Sequence, residues 1–135
     1  MVKSNSKKKN LSLMSGSKTQ RAGAKGERRA RLYLVLHGYK ILEKNTLYGH
    51  KEIDIIAKKG KTYAFVEVKS RTGARAIAPA LSVNTAKKKR VIYAANAYVA
   101  RNGIRNAYLR FDIIEVDLGK RLPLSGVKHI ENAFN

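Results

Sequence analysis

The hydrophobic positions that follow Gly26 repeat at the spacing of an amphipathic helix. Ala30 and Leu34 fall on one face together with Glu27, because residues three and four apart are neighbours on a helix surface. Gly38 provides a C-terminal stop. The pattern therefore predicts a first helix that begins at Gly26, packs through this apolar stripe and turns the Glu27 side chain towards the protein interior.

Three short segments after this helix have the composition of strands. They are rich in Ile, Val, Tyr and Phe, which favour extended backbone. The last two are separated by Lys59, Gly60 and Lys61, and a leading Gly permits a two-residue type II′ turn at 60–61. They form the clearest hairpin in the chain. The predicted strands cover residues 39–45, 52–58 and 62–69, with a loop through Tyr48, Gly49 and His50 after the first.

The second half of the chain predicts another helix and at least one more strand. Thr85 is a suitable N-cap, and Val91, Ala95 and Tyr98 lie on one apolar stripe that ends near Gly103. This order predicts an α/β domain with helices packed against a mixed sheet and an αβββαβ core. We also predict a loop over 72–81, a strand over 109–116, and a short strand or helical turn over 127–134.

Residues 1–25 differ from the rest of the chain in composition. They carry seven basic residues and no acid among Lys, Ser, Asn and Gly, and such a segment cannot bury enough apolar surface to fold. We therefore predict a disordered basic arm over 1–25 and one folded domain over 26–135, a size that allows one hydrophobic core. The arm either contacts nucleic acid or only increases solubility.

The charge of the chain indicates the class of its partner. There are 29 Lys and Arg against 9 Asp and Glu, a formal net charge of +20, and such a field attracts polyanions. Nucleic acid is the expected partner, although charge alone does not separate a nuclease from a passive RNA binder. The chain has no Cys, which excludes disulfides and thiolate chemistry. The apolar stretch 11–14 is too short for a membrane span, and we expect a cytoplasmic protein without a membrane partner.

Two acids on the predicted hairpin face each other. If Lys59 pairs with Thr62 across the turn, counting back places Asp54 directly opposite Glu67 on one face of the sheet. Their Cβ atoms would lie about 5 Å apart. Two ionised carboxylates at that separation repel by roughly 3 kcal/mol at an effective dielectric of about 20. A marginally stable domain therefore needs a compensating positive charge at this point.

Two kinds of positive charge can compensate these acids. Lys69 lies on the same face as Glu67, and a divalent cation binds through carboxylate oxygens. Phosphodiester hydrolysis uses such a cation to polarise the phosphate and to activate water. We therefore predict that Asp54 and Glu67 hold Mg²⁺ or Mn²⁺. Glu27 would hold a metal-bound water, and Lys69 would orient the nucleophile or neutralise the phosphate. In the alternative, Lys69 balances the acids in a structural network and no metal binds.

These residues form a recognisable pattern. Asp54, twelve intervening residues and then Glu67-Val68-Lys69, with Glu27 upstream, resemble the PD-(D/E)XK nuclease superfamily and its Holliday-junction-resolvase-like members. More closely, the chain is similar to the YraN-like family of small bacterial proteins. The segments that carry this likeness are Gly26-Glu27, Glu52-Ile53-Asp54, Phe65-Val66-Glu67-Val68-Lys69-Ser70-Arg71, the start of the second helix around Lys87, Arg110-Phe111-Asp112 and Asn132-Ala133-Phe134.

The resemblance implies a fold, a chemistry and a site. The fold is the restriction-endonuclease-like sheet with flanking helices, and the activity is that of a Mg²⁺- or Mn²⁺-dependent endonuclease of DNA or RNA, with DNA favoured over RNA as the expected partner. The metal-binding acids would be Glu27, Asp54 and Glu67, with Lys69 as the superfamily lysine. Junction-cleaving relatives work as dimers, so a homodimer is an expectation. One departure is Lys51, where the family usually has Gly.

Several basic residues are candidates for phosphate contacts. Lys87, Lys88 and Arg90 open the second helix, where basic residues oppose the helix dipole, although a solvated face is an alternative. The other functional readings are a nucleic-acid-binding module without turnover and a basic accessory protein of RNA or ribosomes. The full set of predicted nucleic-acid contacts is Lys25, Lys51, Arg71, Lys87, Lys88 and Arg90.

Other polar and aromatic residues have structural interpretations. Arg110 and Asp112 share one strand face, so we predict a structural ion pair. The three histidines lack metal-ligand spacing and are interpreted as surface or loop residues, and three tyrosines as core residues. These are His37, His50 and His129, and Tyr33, Tyr93 and Tyr98.

Overall fold

The polypeptide is described by a computed structural model over residues 18–49, 51–73 and 85–133, with the backbone alone for 18–22. These residues form two helices and one five-stranded mixed sheet in the order β1-β2-β3-β4-β5. Only β3 and β4 are parallel, while the other neighbours are antiparallel. The predicted α/β class is confirmed, and the arrangement is consistent with a restriction-endonuclease-like core. The elements are α1 (Lys18–Leu36), β1 (Lys40–Tyr48), β2 (Lys51–Lys59), β3 (Thr62–Arg71), α2 (Thr85–Arg101), β4 (Tyr108–Asp117) and β5 (Val127–Ile130).

Helix α1 begins earlier than its sequence predicts. It starts at Lys18 instead of Gly26, because the intervening Ala, Lys, Arg and Gln are strong helix formers and a Gly within a helix costs only about 1 kcal/mol. Gly26 has a packing role, since a Cβ there would lie 1.7 Å from Oγ of Ser70 on β3. The predicted helix start was therefore wrong, and residues 1–17 of the predicted arm lie outside the described residues.

Strand β1 is also longer than predicted. It continues beyond Asn45 to Tyr48, which is buried with 3% exposure, so the prediction that Tyr48 lies in a loop was wrong. Asn is a residue typical of turns, and Asn45 adopts a positive φ of 50°. The strand nevertheless continues past it. The register with β2 also shifts between Ile41 and Glu43. His50 lies outside the described residues.

The β2–β3 hairpin has the predicted register. Pairing runs from Lys59 with Thr62 to Ile55 with Val66. Gly60 has a φ of 62°, as the first position of a type II′ turn requires. The prediction from alternation and turn length is confirmed over these five pairs, and it leaves Asp54 and Glu67 just beyond the last of them.

The core has one layer on each face of the sheet. Helix α1 covers the first layer through Ala30 and Leu34, and α2 covers the second through Val91, Ala95 and Tyr98. The prediction that Tyr98 is a core residue is confirmed, whereas Tyr93 is 64% exposed and that prediction was wrong. The apolar stripe places Val91, Ala95 and Tyr98 on the buried face of α2, and Tyr93 lies outside it. Tyr33 packs at the edge of the first layer.

The C-terminal strand is joined to β4 by a buried polar network. Asp112 is 1% exposed and accepts hydrogen bonds from Arg110 at 2.8 Å, from the ring of His129 at 2.7 Å and from the N–H of Asn132 at 3.0 Å. The predicted Arg110–Asp112 ion pair is confirmed. The prediction of a surface His129 was wrong, because its side chain is 5% exposed and provides one of the partners that a buried carboxylate requires.

Neither described helix is long and apolar enough to cross a membrane.

Candidate active site

Asp54 lies where strands β2 and β3 separate. The last pair of this ladder joins Ile55 and Val66, and beyond it the N–H of Val68 donates to Oδ2 of Asp54 at 2.8 Å. A side-chain carboxylate thus accepts a backbone hydrogen bond of β3 just past the end of the ladder. Burial is the main cause that raises the pKa of Asp54 to about 6, and the negative charge of Glu67 adds to it.

Glu67 is surrounded by three lysines from three elements. Its Oε2 accepts a hydrogen bond from Lys69 at 2.9 Å and another from Lys87 on α2. Lys51 at the start of β2 lies 3.9 Å from Oε1. Burial opposes ionisation of Glu67, but the hydrogen bonds from Lys87 and Lys69 outweigh it and lower its pKa. Glu67 is therefore ionised at neutral pH, whereas the pKa of Asp54, about 6, lies only about one unit below neutrality.

The same carboxylate affects its two closest lysines differently. Burial disfavours the charged form of both ammonium groups, but for Lys69 the bond to Glu67 prevails and raises its pKa. For Lys87, burial together with the positive charge of Lys69 prevails and lowers the pKa. Two cations on one carboxylate oxygen repel each other, so the second of them loses its proton more readily. Lys87 is that second cation.

Glu27 brings a third acid to the same region from α1. Burial, followed by the negative charge of Asp54, raises the pKa of Glu27 to about 7, while a hydrogen bond from Asn45 moderates the rise. The side chain of Glu27 therefore faces the sheet, as predicted from the sequence. Asn45 was not selected from the sequence, where its residue type indicated only a turn; in the structure it has a positive φ of 50°.

Electrostatic interactions link the three acids in a row, with Asp54 in the middle. Glu27 is repelled by Asp54, and Asp54 is repelled by Glu67. Asp54 and Glu67 line a common cavity of about 10 Å³, together with Glu52, Asp112, Lys51 and apolar residues, which is room for about one water molecule. The structure thus brings together Glu27, Asp54, Glu67 and Lys69, the residues predicted to carry the chemistry.

The donor set has the chemistry that a hard divalent cation prefers. Glu27, Asp54 and Glu67 offer only oxygen, and Oε1 of Glu67 is buried without a hydrogen bond from the described residues. Oε2, however, is already bonded to two ammonium groups, and within the described ranges no three His, Cys, Asp or Glu are grouped closely enough to hold a metal. The residues fit such an ion in kind, and sharing it among three of them requires side-chain movement.

A further buried acid, Glu115, lies beside this site on β4. It is 4% exposed and is the parallel neighbour of Lys69 in the sheet. Arg71 binds its Oε1 at 3.0 Å, while its Oε2 is buried without a hydrogen bond from the described residues. The sequence did not predict Glu115, because its position depends on the parallel register of β3 and β4.

The predicted phosphate contacts fall into two groups. Lys51 and Lys87 lie at Glu67, and Arg71 lies four residues beyond Glu67 on β3, bound to Glu115. These three therefore form part of the site. The others lie on helix surfaces without a contact to Glu67, and they are Lys25 on α1 and Lys88 and Arg90 on α2.

The fold and the grouping of acids and lysines place the protein among α/β proteins with a restriction-endonuclease-like core. Comparison with known families then identifies the particular group: the model of "Uncharacterised protein family UPF0102", the YraN family, matches residues 26–116. The chain belongs to this family, and the resemblance to the YraN-like family predicted from sequence is confirmed.

Relatives named "UPF0102 protein" align over most of their length. The protein from Geobacter metallireducens is 42% identical over 112 residues, which cover 83% of this chain and 90% of the relative. The one from Chlorobium chlorochromatii is 40% identical over 116 residues, covering 83% and 89%. The one from Clostridioides difficile is 44% identical over 109 residues, covering 81% and 92%.

Proposed function

We propose that this protein is a cytoplasmic metal-dependent nuclease that hydrolyses phosphodiester bonds of DNA or RNA. The observation that carries the proposal is the convergence of Glu27, Asp54 and Glu67 with Lys69 in a chain of net charge +20. Only nine acids are present in the whole chain, and three of them are held close enough to raise each other's pKa or to share a cavity. Structural stability alone does not favour such crowding, since it penalises ionisation.

Each side chain has a role in this proposal. Asp54 and Glu67 would hold Mg²⁺ or Mn²⁺, which when bound polarises the phosphate and acidifies a water molecule. Glu27, with a pKa of about 7, is suited to orient that water and to take up its proton at neutral pH. Lys69 is placed to donate to a phosphate oxygen when its bond to Glu67 loosens. Lys51 can hold the phosphate from the β2 side.

A second candidate function is a nucleic-acid-binding module without turnover. Two lysines on Oε2 of Glu67 already neutralise the acid on which metal binding would depend. In that case the row of acids is a structural network, and the basic surface alone binds phosphates. Affinity would then fall steeply with salt because each phosphate contact releases a counterion.

Cleavage assays with matched variants distinguish these functions. We expect the wild type to cut linear, single-stranded or branched DNA or RNA with Mg²⁺ or Mn²⁺ and not with EDTA. Glu67→Gln and Lys69→Ala should each reduce the rate by about 10²-fold or more. Glu131→Gln is the control, because Glu131 is an exposed acid paired with Arg110 away from the site. If calorimetry finds no binding of either ion at millimolar concentration, with and without nucleic acid, the catalytic proposal is wrong.

A further inference from the structure

Tyr93 is an exposed aromatic ring at the rim of the candidate active site. It lies on α2 with 64% exposure, and a Cβ on Gly49 would lie only 3.0 Å from its Cε2 atom. Gly49 precedes β2 by two positions, and Lys51 of that strand is 3.9 Å from Glu67. The ring and the acid site therefore contact positions that are only two residues apart in the sequence, Gly49 and Lys51.

The ring of Tyr93 is open to solvent, and its neighbourhood is positively charged. Lys89 and Arg90 are exposed and lie one helical turn before it, at the spacing that places side chains side by side. At the contact position just after β1, Gly49 has no side chain that could cover the ring. An exposed ring next to two cations does not contribute to the core. An aromatic ring and neighbouring cations are the two components with which proteins bind single-stranded nucleic acid.

We propose that Tyr93 is a stacking platform for an unpaired nucleobase, with Lys89 and Arg90 binding the phosphates that flank it. This inference rests on the proposed function and specifies its substrate: a strand with at least one base out of a duplex. In a duplex, both faces of each base are covered by its neighbours, so a ring on the protein surface can stack only on a base that has left the helix. The bound strand then continues past Gly49 and Lys51 to Glu67.

Charge argues for a nucleic-acid occupant over an apolar protein segment. The ring is bordered by Lys89 and Arg90 on its own helix, and the acid site that it neighbours carries two more cations at Glu67, Lys51 and Lys87. A partner protein would have to neutralise these charges as well as cover the ring, whereas a nucleic acid strand supplies base and phosphate at the spacing of one nucleotide.

The test uses the full-length protein, EDTA and a single-stranded oligonucleotide that contains 2-aminopurine, whose fluorescence falls on stacking. We expect the wild type to quench the fluorescence and to bind this strand more tightly than a duplex of the same sequence. Tyr93→Ala should weaken binding about 5- to 150-fold and abolish the quenching, and Tyr93→Phe should retain both because it keeps the ring.

Tyr108→Ala is the matched control. Tyr108 is 71% exposed, but it pairs with Thr62 at the start of β3, at the opposite end of the sheet from Gly49. Its removal should change neither affinity nor quenching. Thermal melting of each variant checks that the fold is intact.

The outcomes separate this inference from the proposed function. If Tyr93→Ala binds and quenches like the wild type, the stacking platform is wrong even if the wild type cleaves nucleic acid with Mn²⁺. If Tyr93-dependent quenching is present and no substrate is cleaved with Mg²⁺ or Mn²⁺, the stacking platform stands and the nuclease proposal is wrong. Equal losses in Tyr93→Ala and Tyr108→Ala would also overturn the platform, because they would reflect surface area and not position.

Discussion

In the absence of metal, replacing Asp54 by Asn should stabilise the folded protein at a pH above 6. The pKa of Asp54 is about 6 in the folded protein against an ordinary value of 3.8, so the folded state binds this proton more tightly than the unfolded state does. Stability therefore falls as the pH rises from 3.8 to 6, and the full penalty is present above that range. At 1.36 kcal/mol per pKa unit, the penalty is about 3 kcal/mol.

Asn keeps the shape of Asp54 and removes its charge. Its side-chain oxygen can still accept the N–H of Val68, which donates to Asp54 at 2.8 Å. The variant should thus be more stable by up to about 3 kcal/mol above pH 6 and should approach the wild type below pH 3.8. The pKa of Glu27 should also fall from about 7, because the charge of Asp54 is its second largest cause.

Urea unfolding in EDTA across this pH range measures the effect, and NMR titration follows Glu27. Asp117→Asn is the matched control of opposite sign: hydrogen bonds from the N–H groups of Gly73 and Gly119 lower the pKa of Asp117, so that variant should lose stability above the ordinary pKa. A uniform loss of stability in Asp54→Asn at every pH would refute the reasoning, since it would mean that the ionised carboxylate is fully compensated in the fold.

Two further predictions concern packing and the polar network. Gly26→Ala should destabilise the protein by about 1–3 kcal/mol, because its Cβ would lie 1.7 Å from Oγ of Ser70. Gly23→Ala is the control: a Cβ there meets nothing within 4 Å, so helix propensity should stabilise this variant by up to about 1 kcal/mol. Equal effects of the two substitutions in urea unfolding would contradict the close approach of Gly26 to Ser70. His129→Ala should cost about 1–3 kcal/mol, since it removes a 2.7 Å partner of the buried Asp112. A melting temperature that does not change would show that this network does not stabilise the C-terminal strand.

Local pattern was sufficient for the hairpin that carries two of the acids. Alternation along β2 and β3 and the Gly at position 60 fixed the register, because a slip of one residue would expose every core side chain. Gly26 and Asn45 misled for a related reason. Gly and Asn are residues that often end a helix or a strand. Here Gly26 lies inside α1, where it contacts Ser70, and Asn45 lies inside β1, where it hydrogen-bonds to Glu27.

Features that depend on distant pairing could not be predicted in this way. Glu115 lies beside Lys69 only because β3 and β4 run parallel, and their register is set by the whole crossover and not by a turn. His129 on β5 reaches Asp112 on the neighbouring strand β4, and no spacing in the sequence signals that contact. Lys87 was predicted as a phosphate contact, whereas its bond to Glu67 depends on how α2 docks.

The parallel pair in an otherwise antiparallel sheet has a consequence for the order of folding. Strands β1, β2 and β3 are consecutive neighbours and can associate through short loops, whereas β4 must close a long loop through α2 before it pairs with β3, which is the slower kind of step. Lys87 and Glu115 both arrive with that step. The hairpin itself carries Lys51 and Lys69, so Glu67 gains only its third cation, Lys87, when α2 and β4 dock.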